Sequence, residues 1–354
     1  MQAAVYAGDG KLTVSEVPTP TPGPGEVLVR VEANTICGTD LRIARGLKTK
    51  GIRVPVVLGH ELAGTVTAVG PGADPGWVGT KVGMTPTIAC HTCPQCQLGN
   101  PHLCARARVL GHDVDGGLAD YFLVPAEGVA GGNLVAAPDH LQPEEIALAE
   151  PLSCVLHGQE LMGLGLNDVV VVVGGGAIGQ LHAQVARARG ARTVIVSEPV
   201  ESRRRTALQL GADLAVDPTT EDLAAVVAEA TDGRGADAVI VCIGVPQLVN
   251  GALAVAGQRG AVCLFAGFPS DVLAGIDANL IHYRELRVTG SSNSTTTEYR
   301  DALRLIADGR VDVASLVTHR YPVDQIETAL VTAAQPEALK VAVVPAHRLA
   351  PNNP

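Results

Sequence analysis

Residues 169–173 are five consecutive valines, followed directly by a glycine-rich segment through Gly179 and a helical pattern running to Arg189. A strand with one face in water alternates apolar and polar residues. A strand that is apolar throughout is covered on both faces, which places it in a parallel sheet between layers of helices. Further β-type runs at Thr193 to Ser197, Asp213 to Val216, Asp237 to Ile243, Ala261 to Phe265 and Leu286 to Thr289 are separated mostly by helical patterns. Six strands alternating with helices predict a doubly wound α/β fold of the Rossmann kind.

The turn after the first of these strands carries G-x-G-x-x-G at Gly174, Gly176 and Gly179, with Ala177 and Ile178 between the last two. Glycine there permits a tight turn, lets the backbone approach a pyrophosphate, and lets the helix pack closely on the strand. Glu198 stands 19 residues beyond Gly179, at the end of the second strand. A carboxylate at that corner accepts both ribose hydroxyls of an adenosine and repels a 2′-phosphate, so the pair predicts NAD in preference to NADP. Arg203, Arg204 and Arg205 are the counterweight, because Arg203 can lie along the ribose and guanidinium groups clamp phosphate. The competing reading is a structural glycine turn with a surface glutamate.

A chain of 354 residues suggests two domains. Before the Rossmann pattern, short alternating segments such as Val27 to Val31 follow the Pro/Gly-rich stretch from Pro18 to Gly25 and read as half-buried strands and turns. After Gly290 the pattern ends; Tyr299, Leu303 and Ile306 mark one amphipathic helix, and the mixed tail is expected to return to the first domain. The expected organisation is a first domain over 1–150, completed by 293–354, around a nucleotide-binding domain over 151–292. A net charge of −10 argues against a nucleic-acid partner or an anionic membrane surface. No secretory signal or long apolar span is visible, which points to the cytoplasm, where eight cysteines serve better as metal ligands or buried thiols than as disulfides.

Four of those cysteines, Cys90, Cys93, Cys96 and Cys104, have the spacing C-x2-C-x2-C-x7-C. Four thiolates from one loop can surround a tetrahedral ion and leave no open position, which is the signature of a structural zinc. Four unrelated buried thiols, or a zinc knuckle for nucleic acid, are the alternatives. Elsewhere Ile36-Cys37-Gly38-Thr39-Asp40 is followed, 22 to 24 residues after Cys37, by Gly59-His60-Glu61. Either segment alone is unremarkable, since a lone Cys or His is usually a core residue.

Taken together, these motifs, with Gly116-Gly117-Leu118-Ala119-Asp120-Tyr121 and Glu150-Pro151-Leu152, resemble the zinc-containing medium-chain alcohol dehydrogenases along nearly the whole chain. The Glu150-Pro151 pair resembles the sorbitol and threonine dehydrogenase branch. The resemblance implies a GroES-like, largely antiparallel catalytic domain joined to the Rossmann domain, two zinc ions per chain, and assembly as a homodimer or homotetramer. It implies a catalytic zinc held by Cys37, His60 and Glu150, with Glu61 beside the ion and exchanging with water, and a structural zinc on Cys90, Cys93, Cys96 and Cys104. Zinc lowers the pKa of an oxygen bound to it toward neutrality, which readies an alcohol to lose hydride to the nicotinamide. Thr39 is placed to accept the alcohol proton; a plain turn residue is its other reading. Glu150 has a second reading too, as a helix-start or domain-junction carboxylate.

Many relatives carry a histidine five residues after the ligand cysteine, where this chain has Arg42, which cannot serve as an ordinary relay base. The proton leaves through water instead, or Arg42 contacts a cofactor phosphate or an anionic substrate. The expected substrate is a small-molecule secondary alcohol: a polyol, sugar or cyclitol, including an amino sugar or aminocyclitol. A threonine-type amino alcohol is the second choice, and a non-catalytic nucleotide-binding protein of the same fold is the rival from another class. His112, Asp113 and Asp115 are candidates for the pocket lining or for a polar surface loop.

Overall fold

The structure, a computed structural model, describes residues 1–8, 10–269 and 272–349. The chain divides into two compact units, Met1–Ser153 with Ser294–Ala307 and Val313–Pro354, and Cys154–Asn293 with Asp308–Asp312. The short return of Asp308–Asp312 to the second unit has a local cause. Gln184 brackets Asp312, donating to its carbonyl at 2.9 Å and accepting from its N–H at 2.7 Å, and Arg310 donates to the Ala188 carbonyl at 2.8 Å.

The first unit is built on strand Val27–Thr35, which pairs antiparallel with Glu61–Val69, Tyr121–Val124 and Lys340–Val343 in a seven-stranded sheet. Val317–Tyr321 adds to Lys340–Val343, the one parallel pair of that sheet. Val27, Val29 and Val31 pack with Leu62, Val66 and Phe122 on one side of the core, while Arg30 faces solvent. The register sets Thr35 opposite both Glu61 and Ala342. Residues just beyond Thr35, just before Glu61 and at the start of the Lys340 strand are therefore neighbours although they come from distant parts of the sequence.

The second unit holds six parallel strands in the order Leu214–Val216, Thr193–Ser197, Val169–Val173, Ala236–Val241, Ala256–Leu264 and Arg287–Gly290. The valine run lies near the middle. Val169, Val171 and Val173 enter one core cluster and Val170 and Val172 another, so alternate side chains fill the two faces of the sheet. The fifth strand begins earlier than the apolar run at Ala261 indicates. Its first part passes through Gly257, Gly260 and Arg259 at φ 60, residues that read as a turn, and its register against Ala236–Val241 is irregular there. Among the described residues no helix is long and apolar enough to cross a membrane.

Candidate metal centres and nucleotide site

Cys37 follows the central strand of the first unit and caps the helix Gly38–Ala44; its backbone N–H donates to Asp40 Oδ2 at 2.9 Å. His60 precedes the strand Glu61–Val69. The sheet register brings the two segments side by side, and the ligand atoms of Cys37, His60 and Glu61 all lie within 4.8 Å of one another. His60 is 8% and Glu61 1% exposed, so water contributes little to satisfying them. His60 Nδ1 and Asp40 Oδ1 face each other at 3.5 Å with no other hydrogen-bond partner, an arrangement in which Asp40 orients the ring and Nε2 is the nitrogen that could ligate a metal. Burial alone would raise the Asp40 carboxyl, but the His60 charge and the Cys37 N–H outweigh it and hold the carboxyl below its usual range. Burial alone would likewise depress His60, and the Asp40 charge followed by Cys37 reverses that effect. A cysteine sulfur, an imidazole and a carboxylate, the last two buried and the first partly so, form a donor set suited to zinc.

Glu61 does not stand alone. Lys340 Nζ contacts its two oxygens at 2.6 and 2.5 Å, and the Thr35 hydroxyl donates to one of them. Lys340 is buried, so this is a fully desolvated ion pair at the edge of the metal site. Sequence reasoning missed Lys340, Thr35 and the orienting role of Asp40. One signal for Lys340 was available: lysine is scarce in this chain, 5 against 21 arginines, and this one opens the apolar strand Lys340–Val343.

Glu150 lies near the start of helix Ala149–Met162, buried, with its charge acting on Lys340 and Tyr299, and it falls outside the Cys37, His60 and Glu61 group. Thr39 is half-buried in the first turn of Gly38–Ala44, and Arg42 is exposed in its last turn. Of the three candidate lining residues, only His112 meets the centre. Its ring stands edge-on to His60 with centroids 6.3 Å apart, and its Nε2 is 3.5 Å from Lys48 Nζ. Burial, then the Lys48 charge, pull His112 down to about 4. Asp113 accepts the Val109 N–H at 3.0 Å and Asp115 accepts that of Val57 at 3.0 Å while pairing with Arg53; both hold loops in place.

The four-cysteine loop closes on itself. Cys93 Sγ is 3.5 Å from Cys96 and 3.8 Å from Cys104, and Cys104 is 3.4 Å from Cys90. Four sulfurs about 2.3 Å from one tetrahedral ion are about 3.8 Å apart, whereas a disulfide needs about 2.05 Å, so the spacing fits a metal and not cross-links. Arg106 donates to Cys90 Sγ at 3.2 Å and to the Thr92 hydroxyl at 2.6 Å, and the backbone N–H groups of Cys90 and Arg106 point at Cys104 Sγ. The Thr92 N–H first, then the Cys104 thiol, draw Cys90 down to about 5, a value at which it is a thiolate at neutral pH.

In the second unit the glycine turn has the geometry expected of a phosphate cradle. Gly174 has φ 100, and a Cβ on Gly179 would sit 1.8 Å from the Gly174 carbonyl oxygen. Glu198, 4% exposed, accepts the Gly175 N–H at 2.7 Å and the Val200 N–H at 2.9 Å. The three arginines diverge instead of facing solvent together. Arg203 reaches to 4.0 Å from Glu198, Arg204 pairs with Asp217 at 3.0 Å, and Arg205 stays outside near Glu201.

Residues 23–133 match the alcohol dehydrogenase GroES-like domain and residues 177–308 the zinc-binding dehydrogenase domain. The chain is 37% identical over 310 residues to an L-threonine 3-dehydrogenase of Pyrococcus furiosus, covering 86% of this chain and 87% of that protein. It is 33% identical over 343 residues to a sorbitol dehydrogenase of Halalkalibacterium halodurans, covering 96% and 97%. A zinc-binding dehydrogenase of Sinorhizobium meliloti 1021, solved bound to NADP, superposes with a TM-score of 0.91 at 35% identity over 97% of this chain and 99% of that one. With both halves matched in order, and the GroES-like and Rossmann architecture behind them, the chain belongs to the zinc-dependent medium-chain alcohol dehydrogenase family and is an oxidoreductase.

Proposed function

We propose that this protein moves a hydride between NAD and a secondary hydroxyl of a polyol, sugar or cyclitol, with one catalytic and one structural zinc per chain. The observation that carries the reading is the convergence of Cys37, His60 and Glu61, the last two buried, in a group separate from the closed Cys90, Cys93, Cys96 and Cys104 set. When bound, zinc supplies Lewis acidity toward the alcohol oxygen and the nicotinamide accepts the hydride. Cys37 and His60 would hold the ion, with Glu150 as third ligand. Asp40 keeps the His60 ring oriented, and Lys340 pairs with Glu61 and holds its carboxylate in place beside the site. Thr39 Oγ1 accepts the proton of the substrate hydroxyl and passes it on; Arg42, exposed and permanently charged, leaves the onward route to water.

On the nucleotide side, each Glu198 oxygen uses one lone pair on a backbone N–H and keeps another for a ribose hydroxyl. A 2′-phosphate would instead meet this buried carboxylate, which supports NAD; Arg203, only 4.0 Å away, supports the phosphate of NADP, the cofactor bound in the Sinorhizobium relative. The sorbitol dehydrogenase relative supports a polyol substrate, and the threonine dehydrogenase relative supports an amino alcohol as the second reading.

The test is zinc analysis followed by turnover of a polyol panel. Two zinc ions per chain and reduction of NAD at least about tenfold more efficient than of NADP are expected, a difference of about 1.4 kcal/mol in the transition state. Thr39→Val should cut the rate roughly a hundredfold, the usual cost of losing a positioned proton-transfer group. Near-native turnover in that variant, measured where hydride transfer limits the rate, removes Thr39 from the mechanism.

A further inference from the structure

Lys48 sits beside the Cys37 and His60 centre and takes no part in metal binding or in the proton route. It lies in the turn after helix Gly38–Ala44, its backbone N–H donating to the Arg42 carbonyl at 3.2 Å. Its ammonium is 3.5 Å from His112 Nε2, and the His112 ring leans edge-on against His60 with centroids 6.3 Å apart. Among the described residues no carboxylate comes within ion-pair distance of Lys48, in contrast to Lys340, which Glu61 closes at 2.5 Å. The surrounding stretch from Leu41 to Gly59 carries Arg42, Arg45, Lys48, Lys50 and Arg53 and not one Asp or Glu, in a chain whose net charge is −10. Arg53 is paired with Asp115 and Asp40 lies just before the stretch, so the excess positive charge rests on Arg42, Arg45, Lys48 and Lys50, and it favours anions locally against the charge of the whole molecule.

We propose that Lys48 is the anion-recognition residue of the substrate site, binding a carboxylate or phosphate group carried on the same molecule as the hydroxyl to be oxidised. The proposal rests on the dehydrogenase reading above and narrows its substrate class from neutral polyols to anionic ones. An ammonium has three donors. His112 takes one and fixes the direction of the head group, and the remaining two are available to anionic oxygens. Arg42, on the adjoining turn of helix, adds a second positive charge to the same neighbourhood. Burial takes part of the hydration of Lys48, and the Cys37 and Asp40 charges offset that loss only in part, with no carboxylate in direct contact; a charge-assisted hydrogen bond to a bound anion supplies the rest. A neutral polyol returns only hydroxyl dipoles.

The experiment compares wild type, Lys48→Gln and Lys48→Arg, zinc-loaded and with saturating cofactor. The panel is a neutral polyol, the aldonate and the polyol phosphate of the same carbon chain, and L-threonine. Wild type should prefer at least one of the anions over the neutral polyol by about tenfold or more in kcat/KM, and the preferred member tells carboxylate from phosphate. Lys48→Gln should reduce that ratio by about tenfold or more, mainly through KM, and Lys48→Arg should restore much of it. A wild type that favours the neutral polyol, or a ratio unchanged in Lys48→Gln, overturns the proposal. Calorimetric titration of cofactor-free protein with the aldonate and the polyol phosphate separates this question from turnover. If nothing in the panel is oxidised, the dehydrogenase reading fails. Anion binding weakened about tenfold by Lys48→Gln still upholds the role of Lys48, and binding that is absent or indifferent to the substitution ends it.

Discussion

Glu61 and Lys340 stand 279 residues apart in sequence and share two contacts at 2.5 to 2.6 Å in a place from which water is excluded. Such a pair contributes little net stability compared with a well-packed apolar pair, yet breaking it on one side leaves an uncompensated buried charge. Lys340→Met should therefore destabilise the protein by about 3–5 kcal/mol in urea unfolding. Adding Glu61→Gln should recover a large part of that loss, because the charge that Lys340 offset has gone. Equal losses in the single and double variants would mean that packing of the lysine stem, and not its charge, is what the site needs. The same pair shows the limit of sequence reading at this scale. Cys37, His60 and Glu61 could be singled out only through the family resemblance that several motifs in order carry, since neither segment alone marks a metal site. Lys340 binds no metal, and only the register that sets Thr35 opposite both Glu61 and Ala342 brings it there.

At the scale of elements, the four-cysteine loop is held by little besides its own chemistry. Helix Pro94–Gln97 and the turn Pro101–Leu103 are too short to persist alone, and the small cluster around Ala89, Cys93 and Cys104 is the main apolar core nearby. A metal bound there would supply a large part of the folding free energy of the loop. Four thiolates on one zinc carry two net negative charges, and the guanidinium of Arg106 on Cys90 is the cation placed to offset them. If the chain holds the two zincs proposed above, Arg106→Ala should speed release of one of them to a chromophoric chelator by about tenfold or more, as loss of an outer-shell partner usually does. The other zinc should leave at its original rate. An unchanged release curve would show that the backbone N–H groups on Cys104 suffice. Cysteine spacing made this element readable, and periodicity did the same for the valine strand and its neighbours. The start of the fifth parallel strand was hidden, since Gly257 and Gly260 carry no side chain to mark a pleat and Arg259 adopts a positive φ.

The two units divide the chemistry cleanly. All candidate metal ligands, Cys37, His60, Glu61, Glu150, Cys90, Cys93, Cys96 and Cys104, belong to the first, and the glycine turn with Glu198 and Arg203 belongs to the second. The second unit has a complete core of its own on both faces of its sheet, with Val169 to Val172 fully buried, and no candidate metal group is found among its described residues. Stripping metal should therefore act unequally. Prolonged chelation should abolish turnover and raise hydrogen exchange in the first unit, most around Cys90 to Cys104 and next around Cys37 to Glu61. Exchange along residues 169–173 should stay slow, since protection there reports the buried sheet of the second unit. NAD should still bind the stripped protein with its dissociation constant changed by no more than about threefold, or about 0.6 kcal/mol. Hydrogen exchange by mass spectrometry and a calorimetric titration with NAD check both halves of the expectation. Loss of protection in the valine strand together with loss of NAD binding would show that the nucleotide-binding unit depends on the metals of its neighbour, and that the two units fold as one.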